Sequence, residues 1–141
     1  PYWNSKSRGL IMGLTRDSDW RDLVRATIES VAYQTSDLFV SMRKDGLNPK
    51  SVKVDGGMVS NNWFVQFLSE ILKIKITRSK INETTALGAA YMAGYQTGIY
   101  RSLSDIKQNW KKDRDFKPKF NKSYRNKLLQ GWQQAIKKTL A

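Results

Sequence analysis

The chain has 141 residues, about one ordinary domain, and its 40% apolar and 26% charged residues are the balance of a soluble globular protein. It holds no cysteine and no histidine, which excludes disulfides, thiolate or imidazole metal sites and histidine acid–base chemistry. The net charge of +13 is uneven: residues 1–100 carry 13 Lys/Arg against 9 Asp/Glu, and residues 101–141 carry 12 against 3.

The opening, "PYWNSKSRGLIMGLTRDSD", predicts a strand over Arg8 to Leu14 that ends in a polar loop. No basic n-region and apolar h-region follow Pro1, so no signal peptide is expected. No run approaches the roughly 18 apolar residues of a membrane span. A cytoplasmic address is the plain expectation. Asp19 can cap a long helix from Trp20 to about Lys44, along which Val24, Ile28, Val31, Thr35, Leu38 and Met42 recur at helical spacing. Gly46 ends it, and "LNPKS" connects it to a short strand, "SVKVD". The next helix places Phe64, Phe67, Leu68, Ile71 and Leu72 on one face, and "KIKIT" alternates as a half-buried strand does. Val52 to Arg78 therefore reads as a βαβ unit, with a right-handed crossover.

A third helix, Thr84 to Thr97, is rich in small residues: "TTALGAAYMAGYQTG". The charged stretch "RSLSDIKQNWKKDRDFKPKF" predicts mostly loop. The last helix, Ser123 to Lys138, spaces Tyr124, Leu128, Trp132 and Ile136 four apart. The basic tail could attract a polyanion without specificity, or it is simply a solvated surface. No RNP, zinc-finger or GxxG motif favours nucleic acid.

The chemistry-bearing stretch is "VDGGMVSNNW", where Asp55-Gly56-Gly57 lies between a strand end and a helix start. In open α/β sheets, ligands collect beyond the carboxyl ends of strands. Glycines let a flat ligand or phosphate approach the backbone, and the helix N-terminus near Ser60 or Asn61 offers free N–H groups. Asn61 can both donate and accept, as adenine recognition requires. The alternative is a tight turn with a Ser60 cap, and an isolated "DGG" does not decide between the two.

Three separated motifs in order carry a resemblance: "GLIMGLTRDSDWRDLVRATIE" (9–29), "VDGGMVSNNWFVQFLSEIL" (54–72) and "ETTALGAAYMAGYQTGIY" (83–100). With the opening "PYW" and the late Gly131-Trp132, the chain resembles the FGGY carbohydrate kinases over essentially its whole length, and in particular the members that phosphorylate glycerol. The basic segment before Gly131 is loosely similar. The resemblance implies an α/β fold, part of an RNase H-like ATPase domain of the actin, hexokinase and Hsp70 type, with amphipathic helices packed on a small sheet. Residues 1–100 would be the C-terminal part of the nucleotide-binding domain, and residues 101–141 a basic loop plus the last helix of the same domain.

By the same resemblance, Gly57 lies against the nucleotide through its backbone, Asn61 contacts the adenine end, and Gly56 and Asp55 shape the loop. Met58 stands where relatives often have alanine. Ala86, Gly88, Ala89 and Ala90 would pack tightly at a domain junction. The implied cofactors are ATP/ADP and Mg²⁺ in the full-length enzyme, and glycerol would be held by the other domain. The phosphate loop, the aspartate general base and the polyol-binding residues have no counterpart here. The segment thus reads as the C-terminal portion of such a kinase, partnered by the N-terminal part of the same protein and inactive by itself.

Two other readings remain beside it: a different FGGY sugar kinase, or a non-catalytic assembly module with a polyanion-binding tail. Only two or three of the five strands of such a domain are visible in the sequence. An open sheet edge and uncovered helix faces, Phe64-Phe67-Ile71 and Val24-Ile28-Val31, would make the isolated segment a homo-oligomer. Neither a membrane nor a nucleic acid is expected as partner.

Overall fold

Helix α1, Trp20–Lys44, starts where Asp19 accepts the N–H of Arg21 at 2.7 Å while Asp22 accepts the N–H of Asp19 at 3.0 Å, a reciprocal capping box. These facts come from a computed structural model that describes residue 2, residues 4–81 and residues 83–140. Pro1 and Trp3 of the opening motif therefore lie outside the described residues. After α1 come strand β1 (Ser51–Val54), a 3₁₀ turn (Gly57–Ser60), helix α2 (Asn62–Leu72) and strand β2 (Lys75–Ser79). Helices α3 (Thr84–Gln96) and α4 (Leu103–Gln108), strand β3 (Lys112–Phe116) and helix α5 (Lys122–Leu140) complete the described chain.

The sheet has the order β1-β2-β3. Strands β1 and β2 are parallel, with Val54 opposite Arg78, as the βαβ reading requires. Strand β3 runs antiparallel to β2, with an irregularity between Arg78 and Ser79. Thr77 donates its hydroxyl to Asp115 at 2.7 Å across this pair. That bond, with the Lys112 ammonium at 3.0 Å, holds the Asp115 carboxyl below its ordinary range.

Helix α2 is the centre of the core. Phe64, Val65, Phe67, Leu68, Ile71 and Leu72 are all buried, each contributing about 1.5–3 kcal/mol of transfer free energy. It packs on α1, on β2 and β3, and on α5. It stops at Lys73, whose left-handed backbone (φ 55°, ψ 39°) reverses the chain into β2.

Four expectations need correction. Arg8 to Leu14 forms no strand: no described strand pairs with it, and Leu10, Ile11, Met12 and Leu14 are exposed. A strand without a ladder partner has unsatisfied backbone groups and no reason to stay extended. The charged stretch is not mostly loop, since it holds α4 and β3. The face Phe64-Phe67-Ile71 is covered, because α1 and α5 close over it. Finally, the buried arc of α1 is rotated from the expected stripe. Ala32, Tyr33, Ser36, Asp37 and Phe39 are buried, and Ile28, Val31 and Met42 of the expected stripe pack against the core, whereas Val24 and Leu38 are half exposed. The reason is that α1 is contacted from two sides: Tyr33 meets Phe67 of α2 edge-on at 5.7 Å and stacks on Trp132 of α5 at 5.5 Å. On α3, Ala86, Ala89 and Ala90 are exposed and Gly88 is half buried.

Candidate functional site

The loop 55–61 leaves β1 at the carboxyl edge of the parallel pair, the position at which α/β sheets gather ligands. Its two glycines differ. Gly56 has φ 94° and ψ 172°, a region that is essentially open to glycine alone. Gly57 has an ordinary backbone, and a Cβ built on it would meet nothing within 4 Å. Conformation explains the first glycine, and neither conformation nor crowding within the chain explains the second. After Gly57 the chain makes a single 3₁₀ turn, closed by the Ser60 hydroxyl donating to the Gly57 carbonyl at 2.6 Å. Val59 of this turn is buried, while Met58 beside Gly57 is half exposed.

Asn61, not Ser60, caps α2. Its Oδ1 accepts from the N–H groups of Trp63 at 3.0 Å and Phe64 at 3.2 Å. This changes what the loop can offer a ligand. Two of the N–H groups that the sequence reading left free for a phosphate, those of Trp63 and Phe64, are taken by the cap. The accepting end of Asn61 is used, and its amide Nδ2 has no partner among the described residues. Asn61 is thus available as a donor only.

Sequence reasoning missed the residue that grips this loop. Arg78, at the end of β2, donates from Nη1 to the carbonyl oxygens of Val59 at 2.8 Å and Ser60 at 3.2 Å. Its Nε and Nη2 reach Oδ2 of Asp113 on β3 at 2.7 and 2.6 Å, and its guanidinium lies 5.4 Å from the Phe116 ring centre. No local pattern signals this contact, because the partners lie 18, 19 and 35 positions away.

The loop itself lies on an open surface. Grooves of about 520 and 510 Å³ flank the N-terminal segment, α1 and α5, and no residue of 55–61 lines either of them. Among the described residues, no three Asp, Glu, His or Cys side chains cluster as a metal site. No described helix is long and apolar enough to cross a membrane.

Comparison with known proteins shows the family. Residues 1–97 match the C-terminal domain of the FGGY family of carbohydrate kinases. The chain is 49% identical over 138 residues to glycerol kinase 1 of Pseudomonas aeruginosa, covering 98% of this chain and 28% of that protein. It is 50% identical over 136 residues to the glycerol kinase of a Marinomonas species, covering 96% of this chain and 28% of that protein. Among solved structures, Plasmodium falciparum glycerol kinase with ADP superposes with a TM-score of 0.86 at 36% identity, over all of this chain and 28% of that one. A ligand-bound xylulose kinase from Lactobacillus acidophilus shares the fold with a TM-score of 0.71 at 24% identity, over 96% of this chain and 26% of that one. The chain spans about 28% of the length of the curated relatives it matches.

Proposed function

The chain belongs to the FGGY family of carbohydrate kinases, and from that premise we propose that it supplies the nucleotide-facing part of a kinase that phosphorylates glycerol with ATP to give glycerol 3-phosphate. The observation that carries the reading is the pair of glycines. Gly56 shapes the turn, and Gly57, with open space where a side chain would stand, leaves its bare Cα facing the place where a purine or ribose would lie. The amide of Asn61, one turn on, is a donor suited to the adenine end. Glycerol as substrate is supported by the 49% and 50% identity to relatives named glycerol kinase. The xylulose kinase stands at 24% and speaks for the fold alone.

Phosphoryl transfer depends mostly on positioning and on electrostatic stabilisation of the transferring group. In this reading, the chain's share is to hold the nucleotide base and ribose, while the rest of the kinase supplies the phosphate loop, the general base and the polyol site. Among the described residues no three carboxylates cluster, and a magnesium ion in such a reaction is carried largely by the nucleotide phosphates, so no step is assigned to a metal held by this chain. The segment alone is expected to be inactive. A cytoplasmic address belongs to the same reading.

The test is Gly57→Val in the full-length kinase. The first carbon of the new side chain meets nothing within 4 Å in the chain, so the effect is read on the ligand. We expect the ATP KM to rise at least about tenfold, with the glycerol KM unchanged within about twofold. An unchanged ATP KM would reduce the loop to a turn. ADP release that depends on a pentulose and not on glycerol would move the protein to another branch of the family.

A further inference from the structure

We infer that Arg78 is the positioning residue of the nucleotide-facing loop, and that β3 serves this loop through Asp113; the inference rests on the functional reading above. The 3₁₀ turn Gly57–Ser60 is a single turn whose last carbonyls have no continuing helix to bond them. Arg78 fills that need with one arm of its guanidinium, at the Val59 and Ser60 carbonyls. Ser60 is followed directly by Asn61, so the same grip fixes where α2 starts and where the Asn61 amide points. The other arm is held by Asp113, and the planar fork leaves the guanidinium little freedom once both arms are engaged.

An ordinary surface ion pair would not carry this role, since exposed pairs contribute little. Here the Arg78 side chain is 12% exposed and spends donors on backbone oxygens as well as on the carboxylate. The topology adds a second reason. Arg78 lies opposite Val54, the last residue of β1, from which the loop departs. The strand that bears Arg78 and the strand that feeds the loop therefore end side by side, and the arginine spans the gap. Asp113 reaches it because β3 runs antiparallel along the far side of β2. The basic segment thus has a use for one of its three acidic residues that its net charge conceals.

The experiment is a kinetic series in the full-length kinase, with Gly57→Val as reference. Arg78→Met should raise the ATP KM about five- to tenfold, with kcat and the glycerol KM unchanged within about twofold. Arg78→Lys should fall between, because an ammonium can donate to the carbonyls without gripping Asp113 in the same plane. Asp113→Asn should raise the ATP KM about two- to threefold, and the double variant Arg78→Met/Asp113→Asn should be no worse than Arg78→Met alone, since the two act as one unit. A merely structural role would lower the active fraction and kcat and leave both KM values alone. That result overturns the inference. So does an unchanged ATP KM in Arg78→Met while Gly57→Val raises it, which leaves the functional reading standing. If Gly57→Val also changes nothing, the reading beneath the inference fails with it. Should Arg78→Met not yield soluble protein, Asp113→Asn and Arg78→Lys decide the matter. Asp113 is 39% exposed and can be changed without burying a mismatch, and an unchanged ATP KM in both variants overturns the inference.

Discussion

The indole N–H of Trp132 donates to Oδ2 of Asp37 at 2.6 Å, joining α5 to α1 across 95 positions of sequence. Asp37 is buried and takes a second bond, from the Gln133 amide at 3.0 Å, while Trp132 stacks on Tyr33 one turn before Asp37. A buried carboxylate that loses a donor keeps its desolvation cost without the compensation. Trp132→Phe preserves most of the stacking surface and removes the N–H. We expect it to destabilise the domain by about 1–3 kcal/mol, read as a lower urea midpoint at unchanged slope. An unchanged midpoint would mean that Gln133 and solvent satisfy Asp37 alone.

The two glycines of the loop should separate in stability as they do in geometry. Gly56→Ala forces a Cβ into φ 94°, ψ 172° and should cost about 1–3 kcal/mol. Gly57→Ala meets open space and should stay within about 0.5 kcal/mol. Thermal unfolding of the two variants side by side measures the difference. Equal losses would show that the turn is not held in the backbone geometry described.

Asn61 has two separable duties, and two substitutions divide them. Asn61→Ala removes the cap of α2 and should cost about 0.5–2 kcal/mol of stability. Asn61→Asp keeps an oxygen for the Trp63 and Phe64 N–H groups and adds a favourable charge at the helix start, but it has no amide to donate. If the amide serves the adenine end, Asn61→Asp should preserve the unfolding midpoint and raise the ATP KM severalfold, about one hydrogen bond's worth. A stable variant with an unaltered ATP KM would confine Asn61 to capping.

What could be read in the sequence follows from what each element buries. Helix α2 and the βαβ unit were legible because Phe64, Phe67, Leu68, Ile71 and Leu72 repeat at helical spacing and their burial sets the fold. Strand β3 was not legible. Four of the five residues in "KDRDF" are charged, and only Phe116 is buried, so an edge strand with two wetted faces leaves no alternation to find. Helix α4 is six residues long, too short for a period, although its Ser102–Asp105 capping box was there to be noticed. The reverse error, a strand over Arg8 to Leu14, came from apolar content without a partner to pair it. At the site, the turn of Gly56 and Gly57 was visible from residue type. The cap was misplaced, expected at Ser60 and found at Asn61, and the Arg78 grip depends on tertiary placement alone.

That unpaired apolar content is the basis of the last prediction. The covered face of α2 no longer supplies a reason for self-association, but another surface does. Ile11 is 62% exposed and Trp20 69%, and Leu10, Met12, Leu14, Leu23 and Val24 are exposed around them, on the N-terminal segment and the first turns of α1. Scattered apolar side chains need no explanation, whereas a run of them along adjacent elements drives association. Among the described strands β1 is an edge, which adds backbone groups that a second strand can use. The 141-residue chain prepared by itself should therefore form dimers or larger assemblies at micromolar concentration, and Ile11→Lys with Trp20→Lys should shift it toward monomer. Multi-angle light scattering on both proteins measures this. A monomeric parent chain would show that these residues are tolerated in water as they stand, and a variant as associated as its parent would move the contact to the β1 edge.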